Sequence, residues 1–418
     1  MIQILTLKDK EQLNKIRQRS TGEIENALQS AKEIIEQVKK QGDNALIELS
    51  RKFDGYSLTT ETIEVSKKEI QDAYKKVDKK VITAMKSAIQ NIKKFSQKQM
   101  PKEWKTEMTK GVIAGQLIRP IDSVGCYIPG GSYPLPSSVL MTVVPAKFAG
   151  VRKIIICTPP KKGNEVVIVA ADLAGANNIF RIGGAQAIAA MAYGTEKIPR
   201  VDKIVGPGNI YVTAAKKILY GTVGFDFLAG PSEVLIYAEK GNPMFIAADM
   251  LAQAEHDKYA CALFVTANKA LAQQVQREID NQLSSLSTRS IAEQSINTYG
   301  AILLVNNAQE AISFINDFAP EHLELFDERI LGKISNAGAI FLGEESCEAA
   351  GDYAVGPSHV LPTGGIARYR SGLSVYDFIK MPSIQKLSKK GLHQLKKIIS
   401  PLAEAEGLIA HKKSVDIR

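Results

Sequence analysis

Ser123-Val124-Gly125-Cys126-Tyr127-Ile128-Pro129-Gly130-Gly131 divides this chain into two textures. Before it, residues 1 to about 100 are rich in Lys, Glu, Gln and Ile with few glycines, and within 23–41 Ile24, Leu28, Ala31, Ile34, Ile35 and Val38 recur at helical spacing. That pattern predicts amphipathic helices: one ending at Gly42-Asp43, a second over 45–53, and one or two longer ones over 67–99 with a solvated Lys-rich face. Forward from residue 123, short β-branched runs alternate with Ala-rich segments, the sequence form of βαβ units on a parallel sheet. Strands are expected at 124–128, 153–158, 179–182 and 203–205, with helices at 137–149, 165–174, 186–193 and 211–220. A second alternation places strands at 233–237, 262–266, 301–305 and 339–342, with helices at 244–254, 269–286 and 308–318. The expectation is an α/β protein of two doubly wound layers, a duplicated architecture without a convincing sequence repeat. Small helical pieces close both ends, the last through 375–379 and 387–405.

At 418 residues the chain is too long for one ordinary core, and a 45% hydrophobic content suffices to pack two. The net charge of +9 is spread as Lys pairs over the N-terminal third and 384–397. With no Arg-rich arm and no aromatic-interleaved basic stripe, nucleic acid is not expected as a partner. Cys126, Cys157, Cys261 and Cys347 form no Cys-x-x-Cys pair and read as reduced thiols, with a nucleophile as the rival reading. The first residues lack a basic stretch followed by an apolar core, and no segment offers 18 uncharged apolar residues. A soluble, cytoplasmic protein with no membrane partner is expected.

Three expected strands run into glycine turns: Pro129-Gly130-Gly131, Gly183-Gly184 and Gly206-Pro207-Gly208-Asn209. Such turns let an anionic ligand approach the backbone beyond the carboxyl ends of strands. The third begins Gly-x-Gly but has Tyr211 where a dinucleotide fingerprint needs glycine, so a nucleotide site and plain turn chemistry both stay open. Four of the five histidines lie near carboxylates. Gln253 and His256 share a helix face and reach one cation, or His256 caps the helix end. Asp352 and His411 would complete a set of N and O donors suited to zinc, manganese or cobalt. Glu321-His322, just after Pro320 at a helix end, is expected to stay unburied, either as two proton acceptors of different basicity or as a surface Glu beside a structural His. His359, in a Pro-flanked loop, reads equally as a substrate contact or a satisfied buried histidine.

The motifs form a longer series. Val-Gly-Cys-Tyr-Ile-Pro-Gly-Gly (124–131), Gly-Gly-Ala-Gln-Ala-Ile-Ala (183–189), Gly-Pro-Gly-Asn (206–209), Ala-Gly-Pro-Ser-Glu-Val-Leu (229–235), Leu-Ala-Gln-Ala-Glu-His-Asp (251–257), Ala-Pro-Glu-His-Leu-Glu (319–324), Gly-Asp-Tyr (351–353), His-Val-Leu-Pro-Thr (359–363), Ser-Gly-Leu-Ser-Val (371–375) and Glu-Gly-Leu-x-x-His (406–411) follow one another in order. In this the chain resembles the histidinol dehydrogenase family over nearly its whole length. The resemblance implies two Rossmann-like domains: 123–233 contributing to NAD binding, and a discontinuous one from 23–122 and 234–375 carrying catalytic and metal residues. Helical appendages at 1–22 and 376–418 complete it, the latter reaching into the partner of a homodimer.

The resemblance further implies zinc on Gln253, His256, Asp352 and His411, and NAD contacts from Tyr127, Gln186 and Asn209. Substrate contacts would come from Ser232, Gln253, His256, His322, Asp352, His359, Glu406 and His411, with Glu406 and His411 acting in trans. Glu321 and His322 take the acid/base roles as L-histidinol passes through L-histidinal to L-histidine and two NAD are reduced. Cys347 stands where the family often has Pro, and Ser358 where Asn is common. The second departure bears on how His359 is oriented. A zinc hydrolase with Glu321 as base would leave the glycine turns idle.

Overall fold

The computed structural model describes residues 2–19, 21–131, 133–228 and 230–418, with backbone alone at 21–23. Two parallel sheets carry the fold. In the first, Asn178–Phe180, Lys153–Cys157, Ser123–Tyr127, Lys203–Val205 and Gly224–Phe225 lie side by side. In the second, Gln3–Thr6 precedes Ala301–Leu304, Cys261–Thr266, Glu233–Tyr237, His322–Leu325 and Ala339–Leu342. Leaving out the N-terminal edge strand and counting by chain order, both sheets run 3-2-1-4-5. The duplication expected from the alternating texture therefore extends to topology.

Runs such as Glu233–Tyr237 and Cys261–Thr266 are buried along their whole length. This is the behaviour of strands covered by helices on both faces. The covering helices mostly match the sequence expectation: Pro136–Ala149, Glu165–Ala174, Gly184–Tyr193 and Ile210–Leu219 on the first sheet, Pro243–Ala254, Lys269–Ser285 and Ala308–Phe318 on the second.

Four expectations need correction. Residues 1–22 are not simply helical: Gln3–Thr6 is a strand on Ala301–Leu304, and only then does Lys10–Arg17 form a helix whose Leu13 and Ile16 are buried on the second sheet. Residues 23–122 pack chiefly on the first sheet's helices rather than with 234–375, although Lys79–Gln99 also meets Gly351–Val355. Thr21–Gln41 lies on Gly184–Tyr193 and Ile210–Leu219, Lys67–Lys76 on Glu165–Ala174, and Lys79–Gln99 on Pro136–Ala149. The small Ala side chains of Gly184–Tyr193 leave room for Ala27, Ala31 and Ile35 in one shared core. A short helix, Arg289–Tyr299, and the strand His322–Leu325 were not expected. The tail 376–418 begins with a 3-10 turn, Val375–Phe378, and a strand, Ser383–Leu387, antiparallel to Val112–Gln116.

From that small sheet the helices Lys389–Ala405 and Ile409–Asp416 extend as an arm. Its apolar side chains Ile398, Leu402, Leu408 and Ile409 stay exposed in the single chain.

Candidate active site

A cavity of 440 Å³ opens between the sheets. On one side it is lined by Pro129, Gly131, Pro207, Gly208 and Asn209, at the carboxyl ends of the first and fourth strands of the first sheet. That is the switch point at which a doubly wound sheet binds ligands. On the other side it is lined by Ser232, Glu321 and His322, at the amino ends of the first and fourth strands of the second sheet. The second sheet thus uses the opposite end from the usual one. His256 reaches the same edge because Pro243–Ala254 runs back antiparallel to its strand.

Glu321 and His322 are buried, at 5% and 4% exposure, against the expectation of an unburied helix end. The chain turns sharply at Ala319, the one non-glycine residue of positive φ (52°) among those described. A left-handed alanine costs roughly 1–2 kcal/mol, and here it swings Pro320 and Glu321 directly into a central strand. Two charged residues in His-Leu-Glu-Leu disguise that strand, since charge is depleted from buried strands. The register Val234↔His322 sets Glu233 opposite Glu321. The Glu233 backbone N–H donates to Glu321 Oε2 at 2.7 Å, and His322 Nδ1 lies 3.1 Å from the Glu233 carbonyl. A carbonyl only accepts, so Nδ1 carries a proton and Nε2 is the basic nitrogen. Nε2 is buried without a hydrogen-bond partner, 3.6 Å from Asp352 Oδ1, itself unpartnered.

Asp352 is ringed by imidazoles. His359 Nδ1 is 3.9 Å from Oδ1 and His256 Nε2 3.9 Å from Oδ2, both beyond hydrogen-bond reach. The His256 ring bonds the Gln253 carbonyl through Nδ1 at 3.2 Å, so it closes the helix end and still leaves Nε2 free. The capping and ligand readings are compatible. His359 lies on the cavity wall with both nitrogens engaged, Nδ1 with the Asp352 carbonyl at 2.9 Å and Nε2 with Ser138 Oγ at 3.3 Å. Ser358 donates to the Met141 carbonyl at 3.2 Å, and His359 itself is oriented by its own two bonds.

Other expected residues lie elsewhere. Gln253 is wholly buried behind the wall; with its nitrogen toward Glu348 the amide donates at 2.8 Å, and its oxygen accepts from the Glu233 N–H at 3.0 Å. To offer oxygen to a cation the amide must turn over. Asn209 lines the cavity while its side chain caps Ile210–Leu219, accepting from Tyr211 and Val212 N–H at 3.1 Å each. Tyr127 and Gln186 are buried off the cavity wall, the Tyr127 hydroxyl accepting from Gly184 N–H at 3.0 Å. Glu406 and His411 are exposed on the C-terminal arm and do not line the cavity of their own chain.

Sequence reasoning missed Glu348, Glu233 and Arg19. Glu348 is buried on the cavity wall with Oε1 3.5 Å from His322 Nδ1, and with His322 and Asp352 forms a group of ligand atoms within 4.8 Å of one another. Its spacing four residues before Asp352 was the available signal. Glu233 had a weaker one as the last polar residue before an apolar strand, and Arg19, among several N-terminal basic residues, had none.

Burial sets the direction at the two glutamates of the wall. It pushes Glu321 up to about 8, with His322 opposing and Glu233 and Glu348 adding to the rise. Glu348 is likewise pushed up to about 8 by burial. Burial alone would strip the His322 proton, but Glu348, Glu321 and Asp352 outweigh it and hold the ring well above its ordinary range. The same contacts with His322 and His359 keep Asp352 low despite burial, while burial lowers His359. Closely spaced groups of this kind titrate as a set. The arrangement can take a proton from a bound molecule, hold it, and activate water beside a cation.

Residues 17–418 match the family model described as histidinol dehydrogenase. A histidinol dehydrogenase of Methanothermobacter thermautotrophicus is 49% identical, over 99% of this chain and 98% of that one. One from Halalkalibacterium halodurans is 48% identical over 100% and 99%. The crystal structure of histidinol dehydrogenase from Elizabethkingia anophelis superposes with a TM-score of 0.93 at 41% identity, covering 100% of this chain and 97% of that one. An acetylating aldehyde dehydrogenase of Geobacillus thermoglucosidasius shares the fold more distantly, with a TM-score of 0.50 at 14% identity over 88% and 99% of the chains.

Proposed function

The chain belongs to the histidinol dehydrogenase family, and from that premise we propose that this cavity oxidises L-histidinol to L-histidine through bound L-histidinal, reducing two NAD in turn at the end of histidine biosynthesis. The observation that carries the reading is the His322 ring on the cavity wall, fixed through Nδ1 by the Glu233 carbonyl with Glu321 alongside, so that Nε2 is left without a hydrogen bond.

In the first oxidation His322 Nε2 takes the alcohol proton as hydride leaves the carbon for the nicotinamide. Glu321 then accepts a proton from water, whose oxygen adds to the aldehyde carbon. Once His322 has released its first proton to solvent and NADH has been exchanged for a second NAD, His322 takes the hydroxyl proton of the hydrate as the second hydride departs. The sum is alcohol, water and two NAD giving carboxylate, two NADH and three protons. Holding both groups beside one carbon turns two encounters into one bound sequence and retains a reactive aldehyde.

A divalent cation fits the donors. Of the expected ligands, His256 Nε2 lies 3.9 Å from Asp352 Oδ2, near the roughly 3.3 Å between ligands of a tetrahedral zinc, and Asp352 Oδ1 is orphaned. Gln253, after its amide turns, His256, Asp352 and His411 of the partner subunit would hold it, leaving His322 free as base. Zinc there would grip the substrate imidazole and amine, and its charge would offset the carboxylates that hold His322 protonated. The exposed apolar arm supports a homodimer in which Glu406 and His411 serve the neighbouring cavity. Ser232 and His359 on the wall suit substrate contacts, and Asn209 beside the Gly206 turn suits NAD; Tyr127 and Gln186 would act from behind that wall. Among the described residues no helix is long and apolar enough to cross a membrane. Cytoplasmic residence agrees with buried free thiols at Cys126, Cys157 and Cys261.

Glu321→Gln tests the division of labour. Supplied with histidinol and histidinal separately, it is expected to lose about 100-fold or more in aldehyde oxidation and far less in alcohol oxidation. Equal losses would remove the water-activating role.

A further inference from the structure

Behind the catalytic pair stands a second one. Glu233 is 1% and Arg19 8% exposed, and Arg19 Nη2 donates to Glu233 Oε1 at 2.5 Å. The guanidinium is anchored in turn to the carbonyls of Ile16 at 2.9 Å and Pro231 at 3.2 Å, and Gly364 N–H donates to Glu233 Oε1 at 2.8 Å. Glu233 touches the pair through every polar group it owns: its N–H bonds Glu321 Oε2, its carbonyl takes His322 Nδ1, and its Oε2 lies 3.4 Å from Glu321 N–H. Planar and multiply anchored, Arg19 fixes that carboxylate as a lysine would not.

We infer that Arg19 and Glu233 are positioning residues for the oxidation, a buried clamp that sets the direction of the Glu321 carboxyl and of the His322 ring. This rests on the acid/base roles proposed above. Without the clamp two carboxylates would compete for the same place, since Glu233 and Glu321 face each other across adjoining strands. Arg19 assigns the standing negative charge to Glu233 and leaves Glu321 to exchange protons. The charged or titratable groups facing Glu321 are Glu233, Glu348, His322 and, through Glu233, Arg19.

The test is the pH dependence of kcat and KM for histidinal oxidation, in wild type, Arg19→Met, Arg19→Lys and Glu233→Gln. Arg19→Met leaves an unpaired anion beside Glu321, so its pH midpoint is expected to move up, with kcat down about 10- to 100-fold and KM within about threefold. Glu233→Gln removes that anion and should move the midpoint down. Arg19→Lys keeps the charge and should restore the wild-type midpoint at reduced kcat. Unchanged midpoints, with or without lost activity, would leave a merely structural pair and overturn the inference. If Arg19→Met does not fold, Glu233→Gln decides alone: a lowered midpoint supports the clamp and an unchanged one overturns it. Glu321→Gln runs alongside to separate the failures. Should it abolish the pH dependence while the clamp variants do nothing, only the clamp fails; should it keep rate and profile, the role of Glu321 fails and the clamp with it.

Discussion

In the proposed role of base, Glu321 must first lose the proton that burial makes it keep. With its pKa pushed up to about 8 by burial, the carboxylate fraction grows as pH rises through that value. Histidinal oxidation is therefore expected to speed up between about pH 6 and 9, by roughly tenfold per unit well below the midpoint, while a profile flat over this range would contradict the assignment. At this scale the sequence was readable where chemistry is compact. The Glu321-His322 doublet, His256 and Asp352 were identified by residue type and spacing, and the structure gathers all four on one cavity. It could not show which nitrogen of His322 is basic, because that depends on a carbonyl 89 positions away. Nor could it show Arg19, which meets Glu233 across 214 positions with no local pattern on either side.

The turn from Gly206 to Asn209 shows how an element is held for function. Gly206 has φ of 115°, and a Cβ there would stand 2.1 Å from the Tyr127 carbonyl oxygen. Its N–H donates to Asp226 Oδ2 and its carbonyl accepts from Lys216 Nζ, both at 2.7 Å, while Lys216 and Asp226 pair at 2.7 Å in the core. Gly206→Ala is expected to cost at least about 1–3 kcal/mol through strain, and to raise KM for NAD at temperatures where the fold persists. Thermal unfolding and initial rates measure the two effects, and a variant with wild-type values of both would contradict this account of the turn. Elements announced by regular periodicity were legible, as Lys153–Cys157 and Lys269–Ser285 show. Those that break the rules were not. His322–Leu325 is a buried strand carrying Glu324, and Gln3–Thr6 is too short to advertise itself and joins a strand some 300 residues on.

For the whole molecule, repetition of the 3-2-1-4-5 order gives one cavity two kinds of wall: glycine turns from the carboxyl ends of one sheet and proton-handling residues from the amino ends of the other. The alternating texture foretold two layers. Which layer the N-terminal helices cover was beyond it, because amphipathic spacing shows that a face is buried and not what covers it. The arm bearing Glu406 and His411 closes this design only if a second copy supplies it. A one-to-one mixed dimer of His411→Ala and Glu321→Gln chains should regain about half of wild-type activity, since one cavity then draws both intact residues. No recovery in a verified mixed dimer would place those residues outside the neighbouring site. The central claim, that one cavity performs both oxidations without releasing the aldehyde, is tested most directly by stoichiometry. Zinc-loaded protein given L-histidinol and excess NAD under anaerobic conditions should form two NADH for each L-histidine with no free L-histidinal, whereas one NADH per turnover with aldehyde in solution would contradict it.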